Sequence, residues 1–422
     1  MEMMCDRQGR SVFRRSSLHS FTRSPVHSRT MRPLDGITVI ALEQAVAAPF
    51  ATRQLADLGA RVIKIERPGI GDFARDYDQS VNGMSSHFVW LNRSKESLTL
   101  DVKHPRAQEI LARLLVTADV FIQNLAPGAA ERLGLAAPVL LAKHPRLIVC
   151  DLSGYGDSGP YAHKKAYDLL VQSEAGVLSV TGTPETPSKV GISIVDISAG
   201  MYAYSGILTA LLQRGKTGKG TRVEVTMFEA LGEWMGYPLY YTHFSGKAPS
   251  RSGPDHATVV PYGRFRVGDG KYVMLGLQNE REWATFCEQI LGRPGLAQDS
   301  RYDNHPKRAA CRAEIVALIE QVFSTMTAEQ VVAKLDAAGI ANARINTPEE
   351  VWQHPQLKAR GRWREVGSPI GPLPALLPPA TMPDFEARID PIPAMGEHTD
   401  RILSDIGYST SEIEGLRSGG AI

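Results

Sequence analysis

The chain has 422 residues, 43% hydrophobic and 22% charged, with a formal net charge of +2. That length supplies enough apolar material for two buried cores, and no apolar run approaches the eighteen or so residues that cross a bilayer, so no membrane partner is expected. The positive balance comes from residues 1–32, where seven Arg stand against Glu2 and Asp6; the remainder carries −3, and nothing in it suggests a nucleic-acid surface.

Residues 7–34 contain no acidic side chain and mix Arg and Ser with Val12, Phe13, Leu18 and Phe21. That is the composition of a mitochondrial presequence. The alternative is a cytoplasmic protein that starts at Met31. Past the leader, residues 37–42 form a short apolar run, residues 49–58 carry a helical spacing of Phe50, Leu55 and Leu58, and residues 62–65 are apolar again. This is a βαβ unit. Strand patterns at 98–102, 120–122 and 147–152, with a helix near 107–116, extend it into a mostly parallel sheet with helices on both faces. Residues 196–213 read as one long helix stopped by the Gly-rich stretch QRGKTGKGT.

Beyond Thr221 the pattern changes. Two apolar runs flank Gly268-Asp269-Gly270, a hairpin signal, and helices are expected from Glu280, Arg308 and Thr327. Thr327 with Gln330, and Thr347 with Glu350 and Pro348, have capping-box spacing. The Pro-dense stretch 361–393 is expected to lack regular structure and to lead into a short final helix. The four cysteines, Cys5, Cys150, Cys287 and Cys311, have neither metal-ligand nor disulfide-framework spacing, so no metal site is expected.

Two motifs imitate nucleotide sites. Gly154-Tyr155-Gly156-Asp157-Ser158-Gly159 fits the spacing of a dinucleotide loop, but Pro160 and His163-Lys164-Lys165 stand where the binding helix should open. Gly215-Lys216-Thr217 resembles the end of a P-loop, with Ala210 at the position that requires the first Gly. Asp196 is the most informative residue: it lies at the start of the long helix, where an N-cap is one reading and an ionised nucleophile favoured by the helix dipole is the other.

The segments PLDGITVIAL and AAPF within 33–50, LGARVIKIERPGIGD at 58–72, NRSKESLTLDVK at 92–103 and NLAPGAAERLG at 124–134 occur in that order. They are followed by SGYGDSGPY, by Ala166-Tyr167-Asp168, by TGKGTRVEVTMFEAL at 217–231 and by GEHTDRILSDIGY at 396–408. Together they resemble the class III coenzyme A transferases. In that family an Asp nucleophile follows a TG-x-x-(Asp/Glu)-x-P loop; residues 181–187 match the loop, and Asp196 matches the nucleophile. The resemblance implies a Rossmann-like large α/β domain with a mostly parallel sheet, a smaller α+β domain and an interlinked-ring homodimer. It divides the chain into the leader 1–31, the large CoA-binding domain 32–220, a small domain 221–349, and a linker with C-terminal return 350–422.

The resemblance also implies that CoA and acyl-CoA thioesters are substrates and that no cofactor is permanently bound. Arg67, Leu100, Lys103, Asn124, Leu125, Ala126, Arg132, Lys165 and Tyr167 are expected along the CoA site, with Val46 and Ala47 near the pantetheine. Glu185, between Pro184 and Pro187, is expected to be solvated. The racemases of the same superfamily pair a His with an Asp, and Tyr167 stands where that His belongs; a noncatalytic CoA-binding protein is a further alternative. The segments at 172–196 and 229–241 resemble enzymes that move CoA from succinyl-CoA to itaconate, mesaconate or citramalate, itaconate leading. His256 and Arg251 are the candidates for binding the acceptor's remote carboxylate.

Overall fold

The computed structural model describes residues 31–422; the leader expected before Met31 lies outside them. Six strands form one all-parallel sheet: β1 Thr38–Leu42, β2 Arg61–Glu66, β3 Lys95–Thr99, β4 Val120–Gln123, β5 Ile148–Ser153 and β6 Arg222–Thr226. Their order is β3-β2-β1-β4-β5-β6, so the chain runs outward from β1 to one edge, returns, and runs outward again from β4. A crevice opens at such a reversal, beyond the carboxyl ends of the two central strands.

Both faces of this sheet are covered, as parallel sheets require. Side chains alternate: Val39 and Ala41 of β1 and Val120 and Ile122 of β4 enter one core, while Ile40, Leu42 and Phe121 enter the other. The first core is closed by the Ala47–Asp57 and Ile194–Thr217 helices, the second by Ala107–Val116 and by the terminal Thr399–Asp405 and Thr410–Ser418 helices. The end of the chain therefore packs on the same sheet as its beginning. Two final helices stand where one was expected.

The Ile194–Thr217 helix is longer and more apolar than the sequence reading allowed: its 24 residues include an 18-residue window with a mean hydropathy of 1.3, enough by length and composition to cross a membrane. It packs instead against the Ala47–Asp57 and Met227–Trp234 helices. Gly200 makes the first of these contacts possible, since a Cβ there would lie 2.6 Å from the carbonyl oxygen of Ala47. The helix also continues through Arg214, Gly215, Lys216 and Thr217 before Gly218, at φ +72°, ends it. A glycine in the left-handed region is the stop signal, not the glycine-rich stretch as a whole.

β6 begins at Arg222, past the boundary expected after residue 220, and pairs in parallel with β5. A second unit follows, with the antiparallel sheet β7 Tyr262–Arg266, β8 Tyr272–Gly276 and β9 Ala341–Arg344. Its core of Phe265, Leu275, Trp283, Phe286, Ile319, Phe323 and Leu335 is separate from the other two. The turn of the β7–β8 hairpin uses Gly270 at φ +82°, and both expected capping boxes form. The stretch 361–393 is not without regular structure: β10 Trp363–Val366 and β11 Leu373–Leu376 pair antiparallel. Pro374 is tolerated because a two-stranded ribbon has only edge strands.

Candidate active site

A cavity of about 1880 Å³ lies beyond the carboxyl ends of the parallel strands. Segments following every strand of the parallel sheet line it: Glu43–Ala47 after β1, Arg67 after β2, Leu100–Lys103 after β3, Asn124–Ala126 after β4, Gly154 after β5 and Met227 after β6. All twelve residues expected at the site, namely Asp196, Val46, Ala47, Arg67, Leu100, Lys103, Asn124, Leu125, Ala126, Arg132, Lys165 and Tyr167, line this one cavity. Glu185 is exposed and does not.

The reversal point is built from both central strands. The Asn124 amide brackets Gln44, accepting from its N–H at 2.9 Å and donating to its carbonyl at 2.9 Å, so the loops after β1 and β4 are held as one unit. Next to Gln44, Ala45 sits at φ +63°, and its N–H donates to Asp72 Oδ1 at 3.0 Å. A non-glycine residue there costs on the order of 1–3 kcal/mol and persists only when its surroundings enforce it.

The enforcing structure is a buried ionic cluster. On β2 the alternation places Lys64 and Glu66 on the face of Val62, with Lys95 and Ser97 of β3 beside them. Lys64 Nζ contacts Asp72 Oδ2 at 2.7 Å and Glu43 Oε1 at 3.4 Å; Lys95 Nζ contacts Glu43 Oε1 at 2.7 Å; Arg75 pairs with Glu66 at 2.8 Å. Burial alone would push Glu43 up, but Lys95 and Lys64 hold it below the usual carboxylate range. Glu66 is likewise brought down to about 2 against the effect of burial, chiefly by Arg75 and Lys64. Burial brings Lys95 down to about 8 even with Glu43 beside it. Three acids face three bases, so the cluster is neutral overall while each member is desolvated. Sequence reading counted Lys64 as part of an apolar strand and missed the cluster; its signal was a Lys and a Glu spaced two apart within that strand.

Asp196 does not occupy the N-cap. The cap is Ser193, and Asp196 is the third residue of the Ile194–Thr217 helix. Asp168 caps the helix from outside: its Oδ2 accepts from Val195 N at 2.8 Å and Asp196 N at 3.3 Å, while its Oδ1 accepts from Gln172 at 2.6 Å. Gln172 in turn accepts from Val190 N at 2.9 Å, which fixes the approach to the helix. The expectation that the dipole keeps Asp196 readily ionised is therefore corrected. Burial, reinforced by the Asp168 charge, pushes Asp196 up to about 7. Two carboxylates share one helix start, and the one bonded to the N–H groups takes the benefit.

Among the described residues the Asp196 carboxylate has no hydrogen-bond or ion-pair partner, and neither do the charged groups of Arg67, Lys103, Arg132 and Lys165 pair with an acid. An unpartnered carboxylate therefore shares the cavity with Arg67, Lys103, Arg132 and Lys165, and with Lys189, whose Nζ donates to the Val190 carbonyl at 3.1 Å. Gly154 makes the wall behind it possible: a Cβ there would lie 2.3 Å from Ala166 Cβ. From Gly154 the chain passes through turns to the Asp168–Glu174 helix, so the dinucleotide-like spacing opens no phosphate-binding helix. The P-loop-like residues 215–217 lie inside the long helix.

The two residues expected to bind a remote carboxylate are elsewhere. Arg251 donates to the carbonyls of Thr183 at 2.8 Å and Pro184 at 2.6 Å, bracing the 181–187 loop. His256 stacks on Tyr262 at 5.2 Å, and its ring accepts from Val259 N at 3.0 Å. Neither lines the cavity, because local carbonyls and amides satisfy both side chains where they stand. Phe73, Tyr77, His87 and Trp90 do line it and were not anticipated. No group of three or more metal-ligating side chains occurs among the described residues.

Known proteins resemble this chain in sequence and fold. The model for CoA-transferase family III matches residues 34–399. Succinyl-CoA:glutarate CoA-transferase of Mus musculus is 33% identical over 397 residues, covering 92% of this chain and 90% of its own. Succinyl-CoA–D-citramalate CoA-transferase of Chloroflexus aurantiacus is 32% identical over 378 residues, covering 88% of this chain and 93% of its own. Among solved structures, a CaiB/BaiF family protein from Brucella suis matches with a TM-score of 0.78 at 33% identity, covering 89% of this chain and 99% of its own. The chain belongs to CoA-transferase family III and is a CoA-transferase.

Proposed function

We propose that this enzyme moves CoA from succinyl-CoA to a short dicarboxylic acid, itaconate leading, through a thioester on Asp196. The observation that carries the covalent route is the Asp196 carboxylate, unpartnered in a cavity whose Arg67, Lys103, Arg132 and Lys165 suit the phosphates of CoA. A carboxylate oxygen of Asp196 attacks the thioester carbonyl, the C–S bond breaks, and CoA leaves as thiolate with the bonding electrons. The thiolate then attacks the Asp196 acyl carbon of the mixed anhydride, releasing the donor acid and leaving CoA on the enzyme. The acceptor carboxylate repeats these steps in reverse order.

Each addition creates an oxyanion that preorganised N–H groups must stabilise. Val46 and Ala47 line the cavity at the start of the Ala47–Asp57 helix, where no side chain caps the first turn. Exchange of one thioester for another needs no phosphoanhydride, so CoA and its thioesters act here as substrates and no resident cofactor is required. The relatives named for glutarate and D-citramalate support a dicarboxylate acceptor.

The test is a screen of purified protein with succinyl-CoA against itaconate, mesaconate, citramalate and glutarate, run beside a racemisation assay. Asp196→Ala and Asp196→Asn abolish transfer while CoA still binds. Asp196→Glu loses on the order of a hundredfold, because one methylene displaces the reacting oxygen by about 1 Å. Undiminished turnover in Asp196→Ala sinks the covalent route, and racemisation without exchange replaces the transferase-to-dicarboxylate reading altogether.

A further inference from the structure

Coenzyme binding leaves one wall of the cavity unexplained: the aromatic wall contributed by Phe73, Tyr77, His87 and Trp90. The Ser86–Leu91 helix buries Phe88 and Leu91, and its other face carries His87 and Trp90 three residues apart. Tyr77 meets the His87 ring edge-on at 5.3 Å, and Trp90 meets Phe50 at 5.5 Å. Phe50 in turn packs against Gly200, one turn beyond Asp196 on the nucleophile's helix. Burial, Asp72 and then the Asp196 charge push Tyr77 up to about 12, so its hydroxyl stays protonated within the field of Asp196. This wall adjoins the place where acyl groups react.

His87 is the cavity's titratable donor on that wall, and it has a built support. Its Nδ1 lies 3.5 Å from Asp78 Oδ2. Asp78 is fixed by Ser80 N at 2.9 Å, Ser86 N at 3.1 Å and the Ser86 hydroxyl at 2.8 Å. An imidazole ring that carries both protons donates from each nitrogen, so it can bridge Asp78 and a second carboxylate.

We propose that His87, backed by Asp78, binds the remote carboxylate of both the donor acyl group and the acceptor acid, and thereby sets a preference for dicarboxylates over monocarboxylates. The inference rests on the covalent transfer reading above. One subsite serves both acids because each carbonyl in turn must sit at the same Asp196 oxygen, so the two acyl chains extend into the same space. A desolvated second carboxylate left unpaired would be prohibitively costly, which is why the wall needs one cationic partner among its rings.

The test compares glutarate with valerate, acceptors of equal chain length that differ by one carboxylate. Because CoA is carried on the enzyme between half-reactions, kcat/KM for the acceptor is independent of the donor. In His87→Gln the glutarate-to-valerate ratio of kcat/KM falls on the order of tenfold to a hundredfold, expressed mainly in KM for glutarate. His87→Arg, which retains a cation, keeps the preference, and Asp78→Asn weakens it. Equal losses with both acceptors, or an unchanged ratio in an active His87→Gln enzyme, overturn the His87 assignment alone. A wild-type enzyme that prefers valerate, or that exchanges CoA between no pair of acids, overturns the dicarboxylate reading and this inference with it.

Discussion

At the scale of single residues, the proposed covalent route turns on a conflict between two carboxylates. Asp168 takes the N–H groups of Val195 and Asp196, so the proposed nucleophile beside it is left desolvated and next to a like charge. Its ionised fraction, and with it kcat/KM, should therefore rise with pH through about 7. A profile flat from about pH 5 to 8 would contradict this. The same shift has a stability consequence. A carboxyl group whose folded value lies above its unfolded value stabilises the fold below the unfolded value and loses that contribution as pH rises through the folded one. Asp196→Asn should thus raise Tm at pH 8 relative to wild type, and thermal scans should show the difference shrinking toward pH 4. Asp196 was legible in the sequence because its type and its place before a helical pattern are local properties. Its ionisation was not, since Asp168 lies 28 positions away and reaches it only through the folded helix start.

Between elements, buried charge does the fastening. Asp57, at the end of the Ala47–Asp57 helix, pairs with Arg53 at 2.8 Å and with Arg93 at 2.8 Å, all three side chains being nearly excluded from solvent. Arg93 also donates to the Leu376 carbonyl at 3.0 Å, and the Asp57 carbonyl accepts from Arg388 N at 2.8 Å. The connection after β11 is thereby tied to the helix whose first turn lines the cavity. Removing one partner of such a cluster strands the others without counter-charge, so Asp57→Ala should cost about 3–5 kcal/mol. Denaturant unfolding measures this directly, and a loss below about 1 kcal/mol would show that the arginines find other partners. No periodicity announces these contacts, because Arg53, Asp57 and Arg93 read individually as surface residues of a helix and a loop.

For the molecule as a whole, the Gly236–Ser245 helix buries none of its residues within one chain, and Tyr237, Leu239, Tyr240 and Phe244 are all more than half exposed. A contiguous apolar face of this kind marks a protein contact. We propose that it contacts a second copy of the chain, and expect mass photometry to find dimers that persist at nanomolar dilution; monomers there would count against the interlinked arrangement. Residues 1–31 fused to a reporter should direct it to mitochondria if the Arg-rich, acid-poor composition acts as a presequence, whereas a diffuse cytosolic signal would favour Met31 as the start.

Local sequence carries the parallel α/β sheet, the hairpin at Gly268-Asp269-Gly270 and both capping boxes, and the motifs that carry the family resemblance point to the twelve residues that line one cavity. Each depends on periodicity, turn chemistry or contiguous motifs, which act over a few neighbouring residues. Tertiary structure alone decided which side chains meet. The sheet reversal between β1 and β4 creates the cavity, the packing at Gly200 sets the Asp196 helix beside Ala47, and Lys64 and Lys95 become interior charges because two strands align. It also sent Arg251 and His256 to local partners and brought His87 to the cavity wall. Type and spacing fix what a residue can do, and only long-range packing fixes what it faces.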